Sequence, residues 1–600
     1  MTHFLNCRSE LVTAKHVCVC LFAKLHLYVG YMQEKQIELL PVYVNVLEPP
    51  LPVFRSTGSY SKKVRIGSML AAFVCASFTQ YQPVGACVFL FHSSFLFFVH
   101  ANSQRYLVQW LGCGFVSLGL ALSMSQVFRT GDEVTWDWLS AGIVAAIQVA
   151  VVHAIWAMAL AHLRLARMSA RNYVVFCYPV FVTSAYSLVA HFSPLGSQAS
   201  IGYGLHEWQA FVQIVAVFGL GGLNFAILTI STAIAHMGIE SRRFLPTTTT
   251  IHADPCVEEA NINAAFAGET TSPFLPLNPV RWRFARKLGF AVFCSVWIFG
   301  SLRLLSPYLY QRGVKATALA ADQWVPSACV IWAKGTDPFA TTQTLLEESS
   351  HIRLVLWSET AADFYYDDRH GEQLADWQQP TYSSLASELT SLSLSHNATI
   401  GATYMIWYAP DSVSDERVYN MFSFFDPKLG TLFDYSKRHP VPVVESQVVA
   451  GNDERMAAGT STNLGSFNAA ICFDFDYPEF VRSSVSSGLL IQTANTWGIV
   501  GYFHGINSSF RAIENGAYLA RCGSKGPSGL WDQYGNTLSY QPRSGADVVY
   551  FDVPNNPERL WTFYSVAGFV FDYFLYAFSA IYLTLIAITF RKRPSTDDRL

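Results

Sequence analysis

The sequence predicts a multi-pass α-helical membrane domain of about eight spans, with an α/β domain inserted before the last span. Of the 600 residues, 51% are hydrophobic and only 14% are charged, whereas about a quarter of the residues in soluble domains are charged. The deficit lies between residues 66 and 163, and the charge density from 313 to 559 is ordinary. The composition excludes a wholly soluble enzyme, a disordered protein and a disulfide-rich mini-protein. A net charge of −3 without a basic tract also excludes nucleic acid as a partner.

Eight apolar segments are candidates for membrane spans, each of which takes about 20 residues. They are residues 66–80, 84–101, 106–127, 139–162, 173–192, 208–237, 288–305 and 563–590. Lys and Arg cluster in alternate loops between these segments, and cytoplasmic loops are the basic ones. With eight spans every basic cluster falls on the cytoplasmic side. The α/β domain, between spans seven and eight, is therefore predicted to lie on the non-cytoplasmic side, in the periplasm or the ER lumen.

The spans divide the chain into four predicted parts. These are an N-terminal extension (1–61), a seven-span membrane domain (62–307) with a cytoplasmic linker (240–280), the α/β domain (313–559), and a closing helix with a basic tail (560–600). In the α/β domain, strands are predicted at 314–320, 352–356, 399–406, 420–425, 466–471, 489–493, 517–521 and 548–551. Helices are predicted there at 341–350, 381–394, 479–486 and 505–515. Strands with intervening helices indicate a layered domain with one core.

Two segments of this domain carry charged residues that are candidates for chemistry. Glu359 emerges at the end of a predicted buried strand, where ligands of α/β sheets collect; the alternative is a carboxylate that caps the next segment. Lys437 and Glu445 lie on a segment that Pro440 and Pro442 hold extended. The alternative for this segment is a surface loop with solvated charges.

Cys472 lies between an apolar strand and a predicted helix, and a strand-to-helix turn is the usual place of an exposed nucleophile. Backbone N–H groups and the helix N-terminus can stabilise an anion there. The alternative is a buried structural cysteine. A carboxylate could take the proton of the thiol, and a lysine could stabilise the oxyanion formed on a carbonyl substrate. The twelve cysteines have no zinc-site spacing, and neither a metal nor another cofactor is predicted.

Glu359, Lys437 and Cys472, in that chain order, resemble the catalytic set of the nitrilase, or carbon–nitrogen hydrolase, superfamily. The resemblance implies an α-β-β-α sandwich that attacks an amide, nitrile or ester carbon through a thioester on the cysteine. Glu359 would then be the general base, and Lys437 would stabilise the oxyanion.

Seven spans before the domain and one after it, together with further motifs, resemble the bacterial apolipoprotein N-acyltransferase family. The matching segments are Trp357-Ser358-Glu359 (W-P-E in the family), Lys437 to Glu445 (K-x-x-L-V-P-F-G-E), Cys472-Phe473-Asp474 (C-Y-E) and Asn495-Thr496-Trp497-Gly498 (N-D-x-W-F). The resemblance implies supporting roles for Glu445, Asp474, Asn495 and Trp497. The chain departs from the family at Pro440, at Val443-Val444 and in its fifth span, where the family's E-W-L-R-G is absent. These departures leave the acyl acceptor open.

Three functions follow from these observations. The first is a membrane-embedded N-acyltransferase that moves a fatty acyl group from a phospholipid donor to an amine or lipoprotein-like acceptor. The second is a membrane-anchored amidase, in which water replaces the amine. The third is a non-catalytic membrane protein with a degenerate nitrilase domain, which the presence of Glu359, Lys437 and Cys472 together disfavours. Two glycosylation sequons, at Asn397 and Asn507, lie in the predicted external domain and would suit a eukaryotic secretory membrane.

Overall fold

The computed structural model describes fourteen stretches of the chain. They are residues 60–79, 84–103, 105–124, 138–168, 172–198, 200–241, 279–313, 323–331, 337–366, 382–408, 417–442, 444–496, 498–541 and 548–591. The predicted N-terminal extension (1–61) and linker (240–280) lie largely outside these residues. The predicted strand 314–320 and the candidate site residue Trp497 lie wholly outside them.

Each predicted span corresponds to a helix in the described part of the chain. The helices are α1 (Lys62–Ala76), α2 (Gly85–Ala101), α3 (Tyr106–Met124), α4 (Trp138–Met168), α5 (Cys177–Phe192), α6 (Gln209–Val212), α7 (Val215–Ser241), α8 (Pro279–Gly313), α9 (Pro338–Glu348), α10 (Tyr382–His396), α11 (Pro478–Ser484), α12 (Gly498–Asn515) and α13 (Phe563–Arg591). Six segments are long and apolar enough to cross a membrane. Five of them lie in α3, α4, α7, α8 and α13, and the sixth, Val174–Phe192, consists of α5 and part of the 3-10 turn that precedes it. The apolar α2 is shorter, and α1 has only 15 residues.

Helix α7 is broken at Gly219, whose backbone has φ 61° and ψ −165°. Glycine suits this position for two reasons. A positive φ is strained for residues with a β-carbon, and a β-carbon here would collide with the ring of Tyr564 at the start of α13. The break therefore occurs where α13 packs closely against α7.

The α/β part of the chain contains two mixed sheets. Their strands are β1 (Trp324–Val330), β2 (Leu354–Trp357), β3 (Ala362–Tyr366), β4 (Thr399–Tyr408), β5 (Arg417–Asp426), β6 (Gly430–Ser436), β7 (Ala457–Ser461), β8 (Gly465–Ile471), β9 (Leu489–Ala494), β10 (Tyr518–Gly523), β11 (Ser528–Trp531), β12 (Thr537–Gln541) and β13 (Val548–Pro554). The first sheet has the order β13-β1-β2-β4-β5-β6, and β3 also pairs with β4. The second sheet has the order β12-β11-β10-β9-β8-β7.

The two sheets face each other across one apolar core, and helices cover their outer faces. Strand β2 shows the arrangement, because successive side chains of a strand point to opposite faces. Leu354 and Leu356 pack in the core between the sheets, whereas Val355 and Trp357 pack in the outer core beneath α9 and α10. Helices α11 and α12 pack on the second sheet. This is the α-β-β-α sandwich that the resemblance implied.

Helix α12 joins the sandwich to the helical domain. Its Ala512 belongs to the core of the sandwich, while Phe510 and Ile513 belong to the core of the helical domain. One amphipathic helix therefore buries a face on each side. The sandwich is packed against the helical domain and is not merely tethered by α8 and α13.

The sequence did not predict six of the strands, β1, β3, β6, β7, β11 and β12, and the reasons are local. Pro326 lies within β1, and proline argues against a strand because it lacks the N–H donor. The side chains of β12, at the edge of the second sheet, are half-buried or exposed, so this strand lacks an apolar pattern. Strand β7 forms the other edge of that sheet and has only its last residue buried.

A disulfide that the sequence also did not predict joins the two sheets. It connects Cys329 on β1 with Cys522 on β10, whose Cα atoms are 5.4 Å apart, across a sequence separation of 193 residues. Both cysteines are fully buried. The disulfide therefore fixes the two layers of the sandwich relative to each other.

We expect Cys329→Ala combined with Cys522→Ala to lower the free energy of unfolding by about 2–4 kcal/mol, because the disulfide restricts the unfolded chain. The thermal unfolding midpoint of the detergent-solubilised full-length protein would measure the loss, with Cys294→Ala on α8 as the control. Peptide mapping without reductant should recover Cys329 and Cys522 in one linked pair. Recovery of both residues as free thiols would contradict the disulfide.

Candidate active site

Cys472 occupies a sharp turn at the end of β8. It is the first residue of a short 3-10 turn, Cys472–Asp476, which leads into α11. Its backbone φ is +44°, in the left-handed region that residues with a β-carbon rarely adopt. Such strain persists only where the surroundings enforce it, and it concentrates at functional sites. The strand-to-helix geometry predicted for Cys472 is therefore present, but the predicted exposure is wrong, because the residue is only 4% exposed between the two sheets.

Glu359 and Lys437 approach Cys472 from the opposite sheet. Glu359 follows β2, Lys437 follows β6, and Nζ of Lys437 lies 2.7 Å from Oε1 of Glu359. The carboxylate of Glu359 and the ammonium of Lys437 both act electrostatically on the thiol of Cys472. The structure therefore brings the three predicted residues together between the sheets, where all three are buried.

The charges of Glu359 and Lys437 stabilise each other. Burial alone raises the pKa of Glu359, but the Lys437 ammonium and the hydrogen bonds from Lys437 and Asn495 more than offset it, so the pKa lies below its ordinary value. Burial alone lowers the pKa of Lys437, and the carboxylates of Glu359 and Glu445 reverse this, so its pKa lies well above its ordinary value. Glu359 is thus a carboxylate and Lys437 an ammonium at neutral pH.

Cys472 is a neutral thiol at rest. Burial and the neighbouring carboxylate of Glu359 raise its pKa well above the ordinary value, although Lys437 acts in the opposite direction. A thiol is a poor nucleophile until its proton is removed. The neighbouring carboxylate of Glu359 can remove that proton as the sulfur attacks.

Glu445, predicted as a supporting residue, holds Lys437 from the other side. Its two carboxylate oxygens lie 2.8 and 2.7 Å from Nζ of Lys437, and it also accepts a hydrogen bond of 2.6 Å from the backbone N–H of Val441. The side chain is 18% exposed, whereas that of Lys437 is completely buried. Lys437 and Glu445 are therefore not a solvated pair on a surface loop.

Asp474 and Asn495 form hydrogen bonds with residues at and around the site. Asp474 accepts hydrogen bonds from the hydroxyl of Tyr435 (2.8 Å) and the backbone N–H of His439 (2.8 Å), and so links the nucleophile turn to the lysine segment. The backbone N–H of Asn495 donates to Oε2 of Glu359 at 2.6 Å. These contacts give both predicted supporting residues a place near the catalytic set.

Two further polar side chains at the site were missed in the sequence. Asn420 on β5 donates to Oε1 of Glu359 at 2.8 Å, and Gln492 on β9 donates to the carbonyl oxygen of Cys472 at 2.9 Å. Each lies within an apolar strand, and its buried polarity is the one signal that could have identified it. Among the residues described, no group of three or more His, Cys, Asp or Glu side chains is arranged to hold a metal ion.

Comparison with known proteins finds a family model and several relatives that are similar to this chain. The carbon–nitrogen hydrolase family model matches residues 326–560. The chain is 23% identical over 293 residues to the apolipoprotein N-acyltransferase of Gloeobacter violaceus, covering 42% of this chain and 50% of that protein. It is 26% identical over 266 residues to that of Geobacter metallireducens, covering 40% and 46%. Apolipoprotein N-acyltransferase 2 of Treponema denticola is 22% identical over 416 residues, covering 60% and 67%.

The chain thus spans about half the length of the first two of these relatives. Solved structures similar to it include an amidase from Nesterenkonia, with a TM-score of 0.31 and 15% identity over 38% of this chain and 93% of that one. A carbon–nitrogen hydrolase from Helicobacter pylori has a TM-score of 0.30 and 14% identity over 39% and 90%.

The opposite pKa shifts of Glu359 and Cys472 predict how the reactivity of Cys472 depends on pH. The reactive state pairs a carboxylate with a neutral thiol. It persists from below the ordinary glutamate pKa of 4.5 to above the ordinary thiol pKa of 9.0. The rate constant for alkylation of Cys472 by iodoacetamide should therefore be flat from about pH 6 to pH 8.5.

In Glu359→Gln the base is absent, and the sulfur must react as a preformed thiolate. Its rate constant should be lower by about 10²- to 10⁴-fold at pH 7 and should rise about tenfold per pH unit. Glu347→Gln, at an exposed position of α9, serves as the control and should retain the flat profile. An alkylation rate constant that does not change with pH in Glu359→Gln would show that Glu359 is not the base.

Proposed function

We propose that the chain is a member of the nitrilase, or carbon–nitrogen hydrolase, superfamily, whose family model matches residues 326–560, and that it is a membrane-embedded N-acyltransferase. It would move a fatty acyl group from a phospholipid to an amine acceptor through a thioester on Cys472. The observation that carries this proposal is the burial of Cys472, on its strained turn, together with Glu359 and Lys437, whose carboxylate and ammonium lie 2.7 Å apart.

In the first half-reaction, Sγ of Cys472 attacks the carbonyl carbon of the phospholipid ester while Glu359 takes the thiol proton. The Lys437 ammonium stabilises the oxyanion of the tetrahedral intermediate. As the intermediate collapses, the carbon–oxygen bond of the ester breaks. The protonated Glu359 returns its proton to the departing alkoxide, and lysophospholipid leaves.

In the second half-reaction, the amine attacks the thioester carbon and Glu359 accepts a proton from its nitrogen. The carbon–sulfur bond breaks, the amide forms, and the thiol of Cys472 is regenerated by the proton from Glu359. Lys437 remains an ammonium throughout, because the carboxylates of Glu359 and Glu445 keep its pKa well above the ordinary value.

The surface of the helical domain supports a lipid substrate. Only 17% of the most apolar stretch of α8 is buried within the protein, and the same holds for α13. Their large exposed side chains include Phe290 (70%), Leu302 (59%) and Phe578 (50%). So much exposed apolar surface is favourable in lipid and costly in water. A soluble amide substrate would not require such a platform beside the site.

We further propose that the α/β domain lies on the non-cytoplasmic side of the membrane. The basic loops between the predicted spans support this orientation. The disulfide between Cys329 and Cys522 supports it independently, because disulfides persist in oxidising compartments and are rare in the cytosol.

Intact-protein mass spectrometry after incubation with phospholipid vesicles tests the activity. We expect an acyl adduct on Cys472 that neutral hydroxylamine removes, and the same adduct in the control variant Cys294→Ser. Cys472→Ser should form no thioester, because a serine hydroxyl is far less acidic than a thiol. An adduct on another residue would refute the nucleophile assignment. Discharge by water as fast as by an added amine would favour the amidase.

The sequon at Asn397 provides a test of the orientation. Asn397 is exposed just after α10, whereas Asn507 is half-buried on α12 beside the buried Ser508. In a eukaryotic secretory host, we expect a glycosidase-sensitive mobility shift that Asn397→Gln abolishes and Asn507→Gln leaves unchanged. Proteolysis of residues 350–540 from the cytosolic face of sealed vesicles would contradict the orientation.

A further inference from the structure

The loop between α5 and α7 of the helical domain contacts the nucleophile turn directly. The backbone N–H of Ser197 donates a hydrogen bond of 2.7 Å to the carbonyl oxygen of Asp476, the last residue of that turn. The hydroxyl of Tyr477, the next residue, donates to the carbonyl oxygen of Pro194 at 2.8 Å. The end of the turn is therefore held by a loop from the other half of the protein.

Gly196 permits this contact. Its φ is +55°, and a β-carbon there would lie 2.5 Å from the carbonyl oxygen of Asp476. That distance is too short for any real contact, and the obstacle is a backbone atom that cannot rotate away. Any larger residue at position 196 would have to displace either the loop or the nucleophile turn.

The loop itself is firmly anchored. Oδ1 of Asn224, on α7, accepts hydrogen bonds from the backbone N–H of Gly202 (2.9 Å) and the hydroxyl of Ser200 (3.0 Å). The hydroxyl of Tyr203 lies 2.7 Å from that of Ser197. Because Asn224 ties the loop to α7 and the contact between Ser197 and Tyr203 braces it internally, the loop can serve as a fixed support for Asp476.

A buried chain of polar contacts connects the side chain of Asp476 back to Cys472. Oδ2 of Asp476 lies 3.1 Å from Nε2 of His504 on α12, and Nδ1 of His504 lies 3.4 Å from Nη2 of Arg521. Nε of Arg521 donates to Oε1 of Gln492 at 3.1 Å, and Gln492 donates to the carbonyl oxygen of Cys472 at 2.9 Å. The chain thus spans the turn from its last residue to its first.

The direction of these contacts follows from what each group can do. Arg521 can only donate, so Nδ1 of His504 accepts and the proton of a neutral ring is on Nε2. Nε2 of His504 lies close to the carboxylate of Asp476, and the two side chains are only 3% and 2% exposed. Oδ2 of Asp476 also accepts a hydrogen bond of 3.4 Å from Nε2 of Gln198, on the loop between α5 and α7. A buried carboxylate that lost these contacts would be costly.

We propose that Asp476 is a positioning residue through which the loop of the helical domain at residues 193–198 and 200–206 holds Cys472 in its reactive position. Asp476 touches neither the reacting sulfur nor Glu359 in these contacts. It acts by fixing the far end of the turn, against the loop through its backbone oxygen and against His504 through its carboxylate. The proposal deepens the proposed function and rests on the nucleophile role of Cys472.

Alkylation of Cys472 by iodoacetamide in the full-length protein tests the proposal without any lipid or acceptor. The sulfur forms a bond to the methylene carbon, iodide leaves, and Glu359 takes the thiol proton. We expect Asp476→Ala and Gly196→Ala to lower the rate constant about 10- to 100-fold, which is the order of loss for a reacting group misplaced by about 1 Å. Asp476→Asn retains a side-chain oxygen beside His504 and should recover most of the rate.

The control variants are Asp552→Ala, at an exposed position of β13, and Gly114→Ala, where a β-carbon would meet open space. Both should react at the wild-type rate. The rate constant is the decisive quantity, because a merely structural role lowers the amount of protein that reacts and leaves the rate constant of the folded fraction unchanged.

The outcomes separate the two proposals. Slow alkylation in Asp476→Ala and Gly196→Ala with rescue in Asp476→Asn supports the inference. Unchanged rate constants in these variants, or a loss of amplitude alone, would overturn it. If Asp476→Ala fails to fold, Gly196→Ala decides in the same way. A wild-type Cys472 that resists alkylation, while other thiols react, would instead refute the proposed function.

Discussion

A buried ammonium between two carboxylates is the constraint on which the rest of the α/β domain depends. Nζ of Lys437 lies 2.7 Å from Glu359 and 2.7 Å from Glu445, and the exposed fractions of the three side chains are 0%, 2% and 18%. Removing such charges from water costs several kcal/mol per ion, and only close and complete pairing offsets the cost. Losing one partner of a buried pair typically costs about 3–5 kcal/mol. The segments that contribute these charges are therefore held in one arrangement.

The residues of the site come from both sheets of the sandwich, and this explains why several contacts fix one sheet relative to the other. Glu359 and Lys437 come from the first sheet and Cys472 from the second, so the chemistry depends on the alignment of two layers. The disulfide between β1 and β10 fixes that alignment covalently. Asp474 fixes the alignment near the site, because it accepts hydrogen bonds from Tyr435 on β6 and from His439, which follows that strand. The positive φ of Cys472 can persist because so many neighbours determine its position.

The sequence predicted the parts of this arrangement that have a local signal. Glu359 and Cys472 stand where apolar strands end, and the prolines near Lys437 mark an extended segment. The resemblance to the nitrilase superfamily then supplied the roles of these residues and the sandwich. The predicted supporting residues Glu445, Asp474 and Asn495 also lie near the catalytic set, and their roles stay predictions.

What the sequence did not predict depends on contacts between distant segments. The pairing of Cys329 with Cys522 requires β1 and β10 to face each other, and no spacing reveals this. Asn420 and Gln492 lie within apolar strands, where a polar residue has no motif to mark its partner. The contact of Gly196 with Asp476 joins two halves of the chain that are predicted from the sequence as separate domains. Strands such as β12 lack an apolar pattern because they lie at the edge of a sheet.

The two halves of the protein therefore form one structural unit. Helix α12 buries Phe510 and Ile513 in the helical domain, and its Arg511 contacts Tyr203 of that domain at 3.4 Å. Glu514 pairs with Arg511 at 3.0 Å. Burial raises the pKa of Glu514 to about 7, although Arg511 acts against this. An isolated sandwich would expose the apolar face of α12 and lose the partners of Arg511 and Glu514. The helical domain thus does more than anchor the sandwich, because the same helix that docks on it also carries His504 toward the nucleophile turn.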